Sequence, residues 1–247
     1  MDPTDSTDAT DTKATALTGA AVFRPIAPGR PLRWGGAGVV VARREDLRRA
    51  PLLSPAEQQV ADGLAPRRRA EWLAGRLLAK SLVATFLAAP AHDVEVLPRA
   101  DGSPRVLVGG EPMPALHLSL SHTARHVAAA LAPGPVGVDL CDTASAAMVR
   151  RVADHVLSPR DRRAIAAGPP HDPPGARPAA WAGAWALKEA AVKADRSGIF
   201  GPAARRVPIL GLWPPLLGGG RRAAVWQTEG TALALVLARP ARDAGVP

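Results

Sequence analysis

WALKEAAVKA, Trp185 to Ala194, sets one acid and two lysines among small and apolar residues. Glu189 and Lys193 are four apart, so a helix places them on one face. Burying a charge is costly unless it is paired or bound to a metal. The stretch is therefore one of two things. It is an ordinary amphipathic helix with a surface ion pair worth about 0.3–0.5 kcal/mol, or it is the wall of a charged site.

The elements around it are short and mixed. VVVARRED (Val39–Asp46) is β-branched and reads as a strand. Ser54 is an N-cap, followed by Pro55 at the first helical position and Glu57 three residues after the cap. A long helix follows from Pro66. Trp72, Leu73, Leu77, Leu78, Leu82 and Phe86 form its apolar stripe, and Arg69, Arg76 and Lys80 fall elsewhere on it. VEVLPRADGSPRVLV is strand, turn, strand, with Asp101–Gly102 as the turn. ALHLSLSH alternates with period two, HVAAALAPG is apolar up to a Pro-Gly stop, and VGVDLCD is a short strand.

The second part of the chain repeats the theme. SAAMVRRVADHVL and SPRDRRAIAAG are helical, the latter capped by Ser158. PPHDPPGARP is a loop, and RVPIL, AAVWQTE and TALALVLARP are strands. TALALVLARP matches HVAAALAPGP in composition and in its proline stop, with a seam near residues 135–145. The expected fold is α/β (α+β): two similar halves related by a pseudo-twofold, each a small sheet packed with helices. The boundaries are a disordered tail over 1–18, one half over 19–138 and the other over 139–247. A site between the halves is the natural place for a ligand.

Composition narrows the function classes. The 247 residues are 47% hydrophobic, enough for a core without staples. One cysteine, Cys141, allows no internal disulfide and suits a reducing, cytoplasmic setting. No run of about 20 apolar residues predicts a membrane span. The first 19 residues carry four aspartates and no apolar core, unlike a signal peptide. The net charge of +9 favours anionic partners. No zinc spacing, Walker loop or basic run interleaved with aromatics is present, so nucleic acid is not the expected partner.

Three further signals sit at element ends: Ser121-His122, Gly137-Val138-Asp139, and Trp185-x-x-Lys188-Glu189-x-x-x-Lys193. Singly, each has a plain structural reading as a turn, a cap or a surface pair. In this order they resemble the 4′-phosphopantetheinyl transferase superfamily, surfactin-synthetase type. SPAEQ, Gly75-Arg76 within RRRAEWLAGRLLAK, and DGSP extend the resemblance over roughly Leu52 to Arg239. It implies an enzyme of natural product biosynthesis (secondary metabolism). Such an enzyme moves the phosphopantetheine arm of coenzyme A to a serine of an acyl or peptidyl carrier protein, with Mg²⁺, releasing 3′,5′-ADP. It also implies residue roles. Asp139 and Glu189 hold the metal, and Glu189 deprotonates the carrier serine. Lys193 lies on the phosphates, and Lys188 supports the same charge field. Ser121 and His122 belong to the coenzyme site, His122 bonding a phosphate. Arg69, Arg76, Ser103 and Pro104 face the 3′-phosphate and adenine. A monomer is expected, acting on an acidic carrier helix.

Two residues depart from the family's pattern. Cys141 stands where a second carboxylate often follows Asp139, and strand alternation gives the two a common face. A thiol is a poor Mg²⁺ ligand. Ser103 replaces a usual basic residue. These departures leave two other readings open. One is a repurposed or degenerate homologue with other chemistry on a carrier-bound or free substrate. The other is a non-catalytic module that binds carrier proteins or coenzyme A.

Overall fold

This computed structural model describes residues 23–47, 52–168, 176–197 and 202–239. The expected tail over 1–18 and most of the loop over 169–178 lie outside them. In chain order the elements are β1 (Arg24–Pro25), β2 (Leu32–Trp34), β3 (Ala37–Arg43), α1 (Pro55–Asp62), α2 (Pro66–Leu87), β4 (Val94–Pro98), β5 (Pro104–Val108) and β6 (Glu111–Pro112). There follow β7 (His117–His122), β8 (His126–Ala132), β9 (Val136–Asp142), α3 (Ala146–Val156), α4 (Pro159–Ala166), α5 (Ala176–Ala194), α6 (Pro202–Arg206), β10 (Ile209–Leu212), β11 (Pro215–Leu217), β12 (Arg222–Thr228) and β13 (Thr231–Leu237). The architecture is mixed α+β, with several small sheets packed with helices.

One four-stranded sheet has the order β2-β3-β8-β7 and another β1-β12-β13-β9, with a three-stranded sheet β4-β5-β6 and a hairpin β10-β11. The short strand β1 comes from the N-terminal side of the chain yet pairs in parallel with β12. The central strands are buried on both faces, which explains their nearly unbroken apolar runs. Alternation sorts their side chains. Val39 and Val41 of β3, Ala128 and Ala130 of β8, Val138 and Leu140 of β9, and Leu233 and Leu235 of β13 meet between the two large sheets. Val40, Ala42, Val127, Ala129 and Leu131 turn the other way, onto Leu78, Leu82 and Val83 of α2. Cys141, Ala232, Ala234 and Val236 turn onto α5. The layers thus run α2, sheet, sheet, α5. Among the described residues no helix is long and apolar enough to cross a membrane.

The two sheets meet edge to edge along β7 and β9. No main-chain ladder joins these strands. Instead, the amides of Val138 and Leu140 donate to the hydroxyls of Ser119 (3.0 Å) and Ser121 (3.1 Å). The period-two serines of SLSH therefore satisfy edge amides that would otherwise be left without partners. The buried His126 of β8 ties the same junction farther along, through Thr231 and Glu229. Gly137 lets β9 lie directly on α5: a Cβ there would sit 1.8 Å from the carbonyl of Ala190.

One device occurs twice. Ser54 and Glu57 form a capping box at the start of α1, and Ser158 and Asp161 form one at the start of α4. Each acid is wholly buried and meets a lysine of the following long helix: Glu57 with Lys80 of α2 at 2.7 Å, Asp161 with Lys188 of α5 at 2.8 Å. Each also accepts a strand amide, from Val96 at 2.8 Å and from Ile209 at 2.5 Å. The α2 stripe differs from its sequence reading in the same way. Arg76 and Lys80 are buried, while Trp72, Leu73 and Leu77 are only half-buried, because the inner face carries paired or stacked cations.

Candidate active site

The cleft lies at the seam, with a volume of about 890 Å³. β7 and β9 form its floor, Trp72, Gly75 and Arg76 of α2 one wall, and Trp185, Glu189 and Lys193 of α5 the other. Trp185, Glu189 and Lys193 recur every four residues, so one helical face turns into the cleft. The tight packing of α5 on Gly137 brings Asp139, two residues along the same strand face, beneath that helix.

Asp139 is buried and fully engaged on one oxygen. Its Oδ1 accepts from the Ser121 hydroxyl at 2.7 Å and from Lys193 Nζ at 2.7 Å. Glu189 is half-buried beside it. Burial first, and then the charge of Asp139, push its carboxyl up to about 7, against the pull of Lys193. Cys141 shares the α5-facing side with Asp139 but packs into the apolar cluster rather than lining the cleft. Burial and the nearby carboxylates push its thiol up to about 12, so it stays protonated at neutral pH.

The α2 wall of the cleft carries Arg68 and Arg76, with Glu71 between them in sequence. Arg76 is 6% exposed, stacked over the Trp72 ring at 4.3 Å, and its Nε is buried without a hydrogen-bond partner. Burial lowers its guanidinium to about 10. Such a cation calls for an anion. His122 lines the same space, 3.8 Å from Glu71 and 3.5 Å from Arg68. Desolvation holds its imidazole below the ordinary value, Glu71 opposing and the surrounding cations assisting. Ser103 and Pro104 also line the cleft, with Ser103 held in its turn by Asp101 (2.6 Å between Ser103 Oγ and Asp101 Oδ1). Gly102, at φ +78°, makes that turn possible.

The cleft thus brings together Asp139, Glu189, Lys193, Arg76, His122, Ser103, Pro104 and Ser121. Three of the expected site residues have other partners in the structure. Lys188 does not share the charge field of Glu189. Neighbours on a helix diverge by about 100°, and Lys188 points away from the cleft to Asp161 and the carbonyls of Ala204 (3.0 Å) and Val207 (2.6 Å). Burial pulls its ammonium below the ordinary value, and Asp161 opposes that pull. Arg69 lies outside the cleft, about two turns before Arg76, and pairs with Asp62 at 3.0 Å. Ser121 lines the cleft, but its hydroxyl is committed to Asp139 and the Leu140 amide, so it orients the carboxylate.

Arg68, Glu71, Trp72, His117 and Arg196 line the cleft although the sequence reading gives none of them a site role, Trp72 standing there only in the apolar stripe. The first and third were findable, since Arg68, Trp72 and Arg76 recur every four residues. His117 shares the strand face of Ser119 and Ser121 in the alternating ALHLSLSH, and Arg196 carries no local signal.

The donor set has a clear character. Among the described residues no three His, Cys, Asp or Glu side chains form a metal-holding group. Two neighbouring carboxylates remain, Asp139 and Glu189. That set fits a hard cation that keeps waters and shares phosphate oxygens, as Mg²⁺ does, rather than one needing an all-protein cage.

Residues 135–213 match the family model ACPS, 4′-phosphopantetheinyl transferase superfamily. The matched segment contains Asp139, Glu189 and Lys193 and stops short of Arg76 and His122. Among solved structures, the chain is similar to a holo-(acyl-carrier-protein) synthase from Bacillus anthracis str. Ames, in complex with CoA (3′,5′-ADP). The identity is 23%, over 39% of this chain and 92% of that one, with a TM-score of 0.33. Among curated proteins none matches the chain.

Proposed function

We propose that this chain belongs to that superfamily and transfers the phosphopantetheine arm of coenzyme A to a serine of an apo carrier protein, releasing 3′,5′-ADP. The observation that carries the reading is the polarity of the cleft. Two carboxylates and a lysine stand at the seam, and a buried arginine with an unpartnered Nε stands across from them. Coenzyme A has the matching outline, with a diphosphate in the middle and a phosphorylated nucleoside at one end.

In this reading Arg76 and His122 anchor the nucleotide end, Ser103 and Pro104 flank it, and Lys193 lies on the diphosphate. Glu189 accepts the proton of the carrier serine as its oxygen attacks the phosphorus. A group titrating near neutrality suits that task. Asp139 and Glu189 would hold Mg²⁺, which when bound neutralises charge developing on the phosphates. Ser121 fixes the orientation of Asp139, which Lys193 also holds while no ligand is bound. The basic surface favours encounter with an acidic carrier. Incubation with coenzyme A, Mg²⁺ and a panel of apo carrier domains is expected to add one phosphopantetheine to the carrier serine, read by mass spectrometry. A folded preparation that modifies none of them overturns the reading.

Arg76 offers a sharper check. Arg76→Met keeps most of the volume and the contact with Trp72 but removes the charge. Hydrogen bonds to charged groups contribute about 1.5–3 kcal/mol, so the Kd for coenzyme A is expected to rise roughly tenfold or more by calorimetry. The melting temperature is expected to hold or rise, because a desolvated cation has gone. A Kd within twofold of the parent value would make Arg76 a packing residue only.

The single pair of carboxylates, with Cys141 apolar in its surroundings, favours one second reading: the cleft binds coenzyme A without transferring its arm. Binding in calorimetry with no carrier modification would establish it.

A further inference from the structure

Lys193 lines the cleft, but its amino group is turned back onto the seam. Its Nζ donates to Asp139 Oδ1 at 2.7 Å and to the carbonyls of Leu120 and Val138, both at 3.3 Å. An ammonium has three N–H bonds, and here there are three oxygen acceptors. The two carbonyls come from β7 and β9, one from each edge of the seam. Lys193 therefore closes the junction between the sheets and cancels the charge of Asp139 from inside. The same amino group cannot hold this cage and also lie on a diphosphate.

We propose that Lys193 is a resident counter-ion, exchanged off Asp139 when a divalent cation and the coenzyme diphosphate arrive together. This rests on the reading of the cleft given above, and it adds an order of events. Of the two neighbouring seam carboxylates, Asp139 then has a bonded cation and Glu189 has none among the described residues. Mg²⁺ gives up water reluctantly and leans on phosphate oxygens where few carboxylates are offered. The free chain is accordingly a poor cation site. A bound diphosphate changes the balance twice: it supplies oxygens to the cation, and it gives the ammonium a new anionic partner. Asp139 is then released to the incoming ion. Part of the coupling between cation and coenzyme thus runs through one side chain, and such coupling is reciprocal.

The test uses Mn²⁺ as a spectroscopic stand-in, its free concentration read by electron paramagnetic resonance, on the full chain without any carrier. The parent chain is expected to bind Mn²⁺ at least tenfold more tightly with saturating coenzyme A than without it. Lys193→Met and Lys193→Gln are expected to bind Mn²⁺ alone at least tenfold more tightly than the parent, and coenzyme A is expected to improve that by a clearly smaller factor than in the parent, the part that remains coming from the phosphate oxygens. Variants that bind Mn²⁺ alone no more tightly than the parent overturn the proposal. The parent chain gives an arm that needs no substitution. In a chain labelled with ¹³C at lysine Cε, the Lys193 resonance is expected to shift on adding Mg²⁺ with coenzyme A and to stay in place with Mg²⁺ alone. A shift with micromolar Mg²⁺ alone overturns it. Transfer without the Mn²⁺ coupling removes only the exchange. Coenzyme A binding and Mn²⁺ coupling without transfer leave the exchange standing and remove the transferase reading.

Discussion

Glu189→Gln is expected to lower the rate of carrier modification by about 10²–10⁴-fold, the range typical for losing a general base. The substitution keeps shape and hydrogen-bonding reach, so the loss would come from charge and basicity. The same variant makes a prediction about stability with the opposite sign. In the metal-free protein, with chelator present, burial and Asp139 raise the Glu189 carboxyl to about 7. Its ordinary value is 4.5, so between the two the folded chain holds a proton that the unfolded chain has released. Stability is then full below about pH 4.5 and declines as pH rises through about 7. Glutamine has no such dependence. The variant is expected to melt with the parent at pH 4 and above it at pH 8, by an amount on the order of 1–3 kcal/mol. Thermal melts at the two pH values, beside a transfer assay, check both halves. A variant that modifies carriers within a few-fold of the parent rate would reduce Glu189 to a bystander. Equal melting at pH 8 would mean its carboxylate is better solvated than the cleft geometry implies.

Lys188→Met is expected to do the reverse, costing stability and leaving chemistry alone. Lys188 and Asp161 are both wholly buried. Removing the ammonium strands Asp161 with its charge, and breaking a buried pair in this way costs about 3–5 kcal/mol. For a domain of this size that is a fall in melting temperature of roughly 10 °C. The Kd for coenzyme A and the turnover per folded molecule are expected to stay within about threefold, since Lys188 faces α4 and the carbonyls of Ala204 and Val207. Lys80→Met, at the matching point against Glu57, is expected to show the same pattern. An unchanged melting curve with a tenfold weaker coenzyme would return Lys188 to the cleft.

Much of this was legible in the sequence where a signal is local. The two Ser-Pro capping boxes, the Asp101–Gly102 turn and the apolar runs of β3, β8, β9 and β13 depend on residues a few positions apart, and the sequence displays those positions side by side. The alternation that sets Asp139 and Cys141 on one face of β9 is equally local. So is the shared helical face of Trp185, Glu189 and Lys193.

Which face of α5 meets the cleft was decided only in three dimensions. WALKEAAVKA offers a lysine on either side of Glu189, and the two lysines meet opposite fates. Lys193 meets the cleft because Gly137 lets β9 press against that side of the helix. Lys188 is withdrawn because Asp161, 27 positions earlier, presents a buried carboxylate on the other side. The same holds for Arg76 and Lys80 on α2, one aimed into the cleft and one paired to Glu57. A helix pattern records the angle between side chains but not what lies across from them. For a charged side chain near a core, the opposing group decides whether the charge is a structural tie or a chemical tool, and only the packing of distant segments brings that group into place.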